Sequence, residues 1–586
     1  MAAGTVGADP FRQPLSPADQ VQHALDRLTF GPRSADQEQI KKLGVSQWID
    51  RQLNPEQIPE NPDLTKRLQP YTTLQLSGRE LFADYPGPAQ IAAIAHGKLP
   101  LSTDPKLRTI ETSLIARYQA RKTSQADQEK SDGEAPEPLS KEQFDGILTP
   151  DQVDDLRHGV REAKEQVLSA LQPDKMSAFI FALRPEQRRR LLALAPIELR
   201  REMLRSINPQ SVTLNDLVED KVLRAVYSNR QLDELLVDFW FNHFNVNINK
   251  NADHFLVTEY ERDAIRPHVL GHFYDLLLAT AQSPAMLVYL DNAQSVGPNA
   301  PGGRGLNENY GRELMELHTL GVDGGYTQKD VTEVARCFTG WSISGRPDFE
   351  FKYKDRLHDK GQKVVLGHLI PAGGGMEDGL QVLKILSRQP ATAHFISREL
   401  AQRFVADNPP ASLVDRMAKT FLKTDGDLKE VMRTMLSSSE FWSEGAYQAK
   451  MKTPFEMIVS SVRATGANVS SAFLLGAAIQ RLGEPLYRKV EPTGYSYLNS
   501  EWVSSAALVD RMNFAIKLAH DQVPGVTVDT DCLQATTQSD ALALARRLLG
   551  HEPLPATKDA LLKNLAQGDP GLIAGLALGS PEFQRH

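Results

Sequence analysis

Apolar positions recur with helical spacing along most of the chain. Near the start, SPADQVQHALDRLTFG opens on Ser16 as N-cap, with Gln20 close to the capping-box position and Gly31 closing the segment. SADQEQIKKLG ends at Gly44, and VSQWIDRQLNP stops before Pro55. In RQLDELLVDFWFNHFNV, Leu232, Leu235, Leu236 and Phe239 share one face, and the helix ends in a cluster of Trp240, Asn242 and His243. Another long helix is predicted over about 252–281, and helices return from about 379 to 465 and again to the end of the chain. One stretch breaks the rule. From Trp341 to Ile370, FEFKY alternates and KVVLGHLI is β-branched and apolar, which predicts a hairpin or two-stranded ribbon around a loop carrying His358 and Asp359. The expected fold is mainly α: a large multi-helical (α/α) body with a small β-ribbon near 341–370.

Composition shifts divide the chain into an N-terminal helical segment (1–120), a flexible charged insertion (121–148), a central helical domain (149–470) and a C-terminal helical segment packing on it (471–586). The insertion is rich in charge, Ser, Gln and Pro and offers little apolar surface to offset the entropy of ordering. PEQRRRLLALAPIELRREMLRSI is locally basic but sits among acids, and a solvated helix face is expected there. The 586 residues are 41% hydrophobic and 24% charged, with a formal net charge of -8. That balance disfavours nucleic acid, which needs a concentrated basic face. The two cysteines, Cys337 and Cys532, exclude a disulfide framework, although they could pair. Cys337 falls on the apolar side of its helix, as a buried thiol does. The longest apolar run, LLLATAQSPAMLVYL, is broken by Gln282, Ser283 and Pro284 and predicts no membrane span. No charged and apolar leader opens the chain, which reads as cytoplasmic by default; a chain whose signal has been removed reads the same. No Walker loop, dinucleotide glycine fingerprint or GxSxG elbow occurs, and no cofactor is expected.

The densest chemistry lies in NENYGRELMELHTLGVDGGYTQKDV, residues 307–331. Asn307 suits an N-cap and Gly321 a C′ residue, which predicts a helix over 308–320. At 100° per residue, Glu308, Asn309, Arg312, Glu313 and Glu316 fall within an arc of about 140°. Tyr310, Leu314 and Leu317 oppose them, and His318 points away. Two readings fit this arc. On an exposed helix, Glu308–Arg312 and Arg312–Glu316 are ordinary i,i+4 pairs. On a pocket wall, Glu313 and Glu316 would be like charges one turn apart, one kept protonated and the other ionised. A tight glycine turn then leads to a second helix capped by Thr327, forming an αα-hairpin.

These residues resemble the bacterial family called domain of unknown function 1800. The resemblance extends to HALDRLTFGPR, DFWFNHFNV, HDKGQKVVLG, PATAHFISRELAQRF, KMKTPFEMIVSSVRATG and GEPLYRKVEPTGYSYLNSEWVSSAALVDRMN. The family often has Phe at the position of His318, and GYS at Tyr495–Ser496 replaces its usual GYP. Family membership implies no established chemistry. It does imply a periplasmic or extracellular protein, with cytoplasmic as the alternative, and an exported partner from the family domain of unknown function 1501. The expected function is an exported hydrolase, a glycoside hydrolase acting on a polysaccharide. Glu313, Glu316, Glu308, Arg312 and Asp359 are the catalytic candidates. Asn309, Trp240, Asn242, His243, Trp341, His358 and Tyr495 are the candidates for substrate binding. Two alternatives stand beside this: a non-catalytic binding or assembly module, and a metal-dependent hydrolase using His243, His358, Asp359 and the helix acids.

Overall fold

The computed structural model describes residues 9–128, 147–158, 160–298, 300, 305–565 and 568–586. Among them the protein is mainly α, with three two-stranded antiparallel sheets. Contacts divide the chain into two compact units, Leu68–Asp220 and the combination of Met1–Arg67 with Lys221–His586. No helix among the described residues is long and apolar enough to cross a membrane.

In the smaller unit, buried charge fixes the packing of helices. Arg200 is buried and grips both oxygens of Glu219 at 2.8 and 3.0 Å, and Tyr71 donates to the same carboxylate at 2.9 Å. Arg201 holds Asp216, which also accepts from Thr73 at 2.6 Å. These two arginines belong to the stretch expected to be a solvated basic face, so that face is partly turned inward onto acids of the next helix. The helix Pro105–Gln128 runs into the segment expected to be flexible, because RKTSQADQ contains neither Pro nor Gly to stop it. The remainder of that expectation, residues 129–146, lies outside the described residues.

In the larger unit the first helix is Pro17–Leu28, capped by Ser16 with Asp19 rather than Gln20 completing the local bonds. Ser34–Leu43 and Val45–Gln52 follow as expected, divided at Gly44. The long helix predicted over 252–281 is broken. Asp253–Glu259 passes into a π-turn at Tyr260–Ile265 and a 3₁₀ turn at Arg266–His268, and a new helix runs from Phe273 to Gln282. Pro267 and Gly271 interrupt the repeat that periodicity alone would continue.

The single ribbon resolves into two hairpins either side of the His358–Asp359 loop. Strand β1 (Trp341–Ile343) pairs with β2 (Phe351–Tyr353), and β3 (Lys363–Val365) with β4 (His368–Ile370). The second hairpin turns through Leu366 and Gly367, both at positive φ, as a two-residue turn between twisted strands requires. A third sheet, β5 (Asn468–Val469) with β6 (Val526–Thr527), has only two residues per strand, too few to leave a periodic signal.

Arg463 ties the unit together. It sits fully buried on Pro454–Thr465. Its Nε donates to the Gly31 carbonyl at 2.5 Å, its Nη1 to that of Val226 at 2.6 Å, and its Nη2 to Asp36 at 2.7 Å. The turn at Gly31 lies so close to the same helix that a Cβ there would stand 2.7 Å from Ser460 Cβ. Arg463→Met should therefore lower the unfolding free energy by about 3 kcal/mol or more, because it orphans two buried carbonyls and Asp36 at once. Urea denaturation of the two proteins measures this, and a loss within about 0.5 kcal/mol would show that the three segments hold without it.

Candidate functional site

The acidic helix spans Asn309–Glu316, shorter than expected. Asn307 does not cap it but bends the entry, its Oδ1 accepting from Asn309 N at 2.9 Å. At the far end the His318 and Leu320 amides reach back five residues, to Glu313 and Met315, so the last turn widens before Gly321. The helix packs on its hairpin partner, Gln328–Cys337, through Gly311, where a Cβ would stand 3.0 Å from Ala335 N. That second helix begins in a complete capping box between Thr327 and Asp330.

The polar arc is split between two tasks. Glu308 is saturated: its carboxylate accepts from Arg312 at 3.4 Å, Gln328 at 2.7 Å and Thr332 at 2.7 Å, which bolts the two helices together. Arg312 bonds Glu308 and, at 3.0 Å, Gln328 Oε1, and makes no hydrogen bond to the other two acids. Exposed Asn309 donates to the Leu290 carbonyl at 3.3 Å. Glu313 and Glu316 are left half-buried one turn apart. Glu316 accepts from the Tyr326 hydroxyl at 3.3 Å. Glu313 makes no side-chain hydrogen bond to a described residue, and burial followed by the charge of Glu316 pushes its carboxyl above the ordinary glutamate range.

His358 and Asp359 belong to a separate network behind the second helix. Arg336 reaches both oxygens of Asp359, at 2.7 and 3.3 Å, and also grips Glu333. Burial works to raise the Asp359 carboxyl, but the guanidinium outweighs it and holds the group below its usual range. His358 faces the Thr339 carbonyl at 2.7 Å and Asp378 at 3.1 Å. Glu333 and Asp330 accept from the backbone of Val364 and Leu366, so one face of the helix docks the β3–β4 hairpin. Trp240 and Trp341 are both fully buried, and Trp240 donates to the Val269 carbonyl at 3.1 Å. Both pack in the interior. Cys337 is buried, with its thiol pushed up to about 12 by desolvation, and Cys532 is exposed; neither is in a disulfide.

Asn242 and Tyr495 do meet. Asn242 donates to the Tyr495 carbonyl at 2.8 Å and accepts from its amide at 2.6 Å. Gly494, at φ +67°, permits this, since a Cβ there would overlap the Asn242 carbonyl. Both residues border a cavity of about 30 Å³, room for one or two waters. Its charged lining was missed by the sequence reading: Lys221 holds Asp238 at 3.0 Å, Arg403 holds Glu456, and Glu484 accepts from Phe455 N at 2.8 Å. Burial pushes the Glu484 carboxyl up to about 8, so it is protonated at neutral pH. Glu456 and Glu484 look in sequence like ordinary helix-start and loop acids; only their burial distinguishes them.

His243 lies elsewhere, buried against the turn that follows the acidic helix. Its Nδ1 is 2.9 Å from Glu399 and its Nε2 3.2 Å from the His318 carbonyl. His318 itself is buried, its imidazole pushed down to about 3 by desolvation and then by His243. His243 thus takes its partners from other elements than His358 and Asp359 do, and is not brought together with them. Among the described residues no group of three or more His, Cys, Asp or Glu is arranged to hold a metal ion.

The model of the family described as "Protein of unknown function (DUF1800)" matches residues 23–585, nearly the whole chain. No curated protein matches, and no solved structure matches.

Glu484 generates a pH prediction whose sign is fixed by linkage. Its folded carboxyl titrates near 8 and its unfolded one near 4.5. Between these values the folded state holds a proton that the unfolded state has lost. Its contribution is therefore full below about 4.5 and declines as pH rises to about 8. Glu484→Gln, which mimics the protonated acid, should match the wild type near pH 4.5 and become the more stable by a few kcal/mol near pH 8. Melting both proteins across that range checks it, and parallel curves would mean that Glu484 is ionised in the fold.

Proposed function

Because the chain belongs to the DUF1800 family, whose description carries no activity, we propose its function from the site: a hydrolase acting on a polysaccharide, with Glu313 as general acid and Glu316 as its carboxylate partner. The observation behind this is the placement of Glu313. Its side chain is half-buried and accessible, makes no hydrogen bond to a described residue, and stands one turn from a carboxylate held by Tyr326. Two like charges in such a setting favour sharing one proton, and two carboxyl groups that differ in protonation are what glycosidic cleavage uses. Glu313 gives its proton to the bridging oxygen as the C–O bond breaks. A water adds to the sugar carbon and loses its proton to the carboxylates, which restores the starting state. Glu308, Arg312 and Asp359 serve here as positioning residues that hold the hairpin. An exported setting and an exported partner of the family domain of unknown function 1501 complete the proposal, and they rest on the family resemblance alone.

The alternative, an assembly module without turnover, draws on the saturated bonding of Glu308, a structural arrangement that needs no substrate. A screen of the purified chain against bacterial and plant polysaccharides, reading new reducing ends, separates the two. The hydrolase reading expects Glu313→Gln and Glu316→Gln each to lower kcat by about 10²–10⁴-fold with the melting temperature kept. Glu308→Gln should instead lower stability by about 1–2 kcal/mol and reduce kcat far less than either acid variant does. No turnover on any polymer, or turnover indifferent to both acids, rejects the paired-carboxylate mechanism. With Glu313 as acid, kcat should fall with rising pH at a value above that of an ordinary glutamate, and Glu313→Gln should abolish that limb.

A further inference from the structure

A groove of about 390 Å³ opens beside the turn that follows the acidic helix. One wall is the turn Leu320–Gly324, and the other is the helix Pro390–Phe404, which presents Phe395, Arg398, Glu399 and Gln402. Gly321 keeps the walls in register. Its φ is +81°, and a Cβ there would stand 2.8 Å from the Phe395 ring.

Behind the groove, His243 Nδ1 lies 2.9 Å from Glu399 and its Nε2 3.2 Å from the His318 carbonyl. The His243 side chain is 2% exposed and that of Glu399 29%, so Glu399 is the member of the pair that reaches the groove, locked in place from behind. Arg398 is exposed, and its side chain makes no hydrogen bond or ion pair with a described residue. Of the other charged groups at the groove, His394 leans on Asp415 at 3.6 Å, and Asp323 stands exposed on the turn.

We propose that this groove is a saccharide-binding subsite, with Phe395 as stacking face and Glu399, Arg398 and Gln402 as anchors for hydroxyl groups. A sugar ring has an apolar C–H face and a rim of hydroxyls that donate and accept. An aromatic ring flanked by a carboxyl, a guanidinium and an amide, all planar and of differing donor sense, matches both features. The groove charges nearly cancel, which suits an uncharged, hydroxyl-rich ligand better than a phosphate or a polycation. His243 is a positioning residue acting through Glu399. The inference rests on the polysaccharide reading above and adds to it a subsite whose residues are not those of the acid pair.

The test is calorimetric titration of the full chain with uncharged tetrasaccharides of the glucan, chitin and mannan types. At least one should bind with a Kd of order 1 mM or tighter. Phe395→Ala and Glu399→Gln should each weaken binding about tenfold, as should Arg398→Gln, a surface change that leaves folding undisturbed. Glu313→Gln should bind as the wild type does, which separates this inference from the catalytic one. If a tetrasaccharide binds through Phe395 and Arg398 while no polymer is turned over, the subsite stands and the acid pair falls. If all three tetrasaccharides fail to bind, or if the Phe395 and Arg398 variants bind as tightly as the wild type, the subsite is wrong.

Discussion

Buried arginines that terminate helices are the constraint on which the larger unit depends. Arg463 takes the last carbonyls of the helix ending at Tyr227 and the carbonyl of the Gly31 turn. Arg27, equally buried, takes the Val405 carbonyl just past the helix Pro390–Phe404, and that of Ala446. A guanidinium suits this position twice over. It offers five donors to the orphan carbonyls of a helix end, and its charge opposes the negative end of the helix dipole. Such a cation is costly to bury, and it persists because several acceptors from distant segments converge on it. Gln231 adds a neutral joint of the same kind, accepting from Phe30 N and donating to the Ala225 and Ser228 carbonyls. The helices that carry His243 and Glu399 therefore start or stop at these joints, which holds both side chains where the groove needs them.

Much of this was legible in the sequence where cause and effect are local. The mainly helical fold, the αα-hairpin and the Thr327 capping box all follow from spacing and from residues within a turn or two of one another. Legibility failed where partners are remote. Spacing pairs Arg312 with Glu308 or Glu316 equally; Gln328 and Thr332, on the next helix, settle it in favour of Glu308. Periodicity cannot register Pro267 breaking a helix into a π-turn, nor tell one ribbon from two hairpins flanking a loop. Glu399 lies within PATAHFISRELAQRF, whose resemblance to the family was plain, yet nothing local marks it as the partner of His243. Glu484 is the same case: a glutamate before a proline has no sequence mark of being buried.

The three acids with unusual settings differ in what surrounds them, and the difference separates structure from chemistry. Glu484 is sealed in, pushed far up by burial, and lines a space that admits only water. An acid that no substrate can reach has no reaction to catalyse, so its proton serves to make its burial tolerable. Asp359 is equally buried but paired with a fork-shaped cation, which keeps it ionised and makes it a fastener for the loop between the hairpins. Glu313 is neither sealed nor fastened.

A carboxyl that keeps its solvent access, lacks a bonding partner and sits within reach of a like charge is poorly explained as architecture. Architecture would supply the missing donor, as it does for Glu308 with three. The same contrast recurs at Glu399, where one oxygen is fixed by a buried histidine while the group still faces a groove. Both positions flank one widened turn, residues 317–324, in which the His318 and Leu320 amides reach back five residues and the glycines bear no side chain. The acidic helix stops at Glu316, short of Gly321, whose missing side chain leaves space for the Phe395 ring. The early end of that helix at Glu316 is thus what allows an acid pair and an aromatic groove to lie along the same stretch of chain.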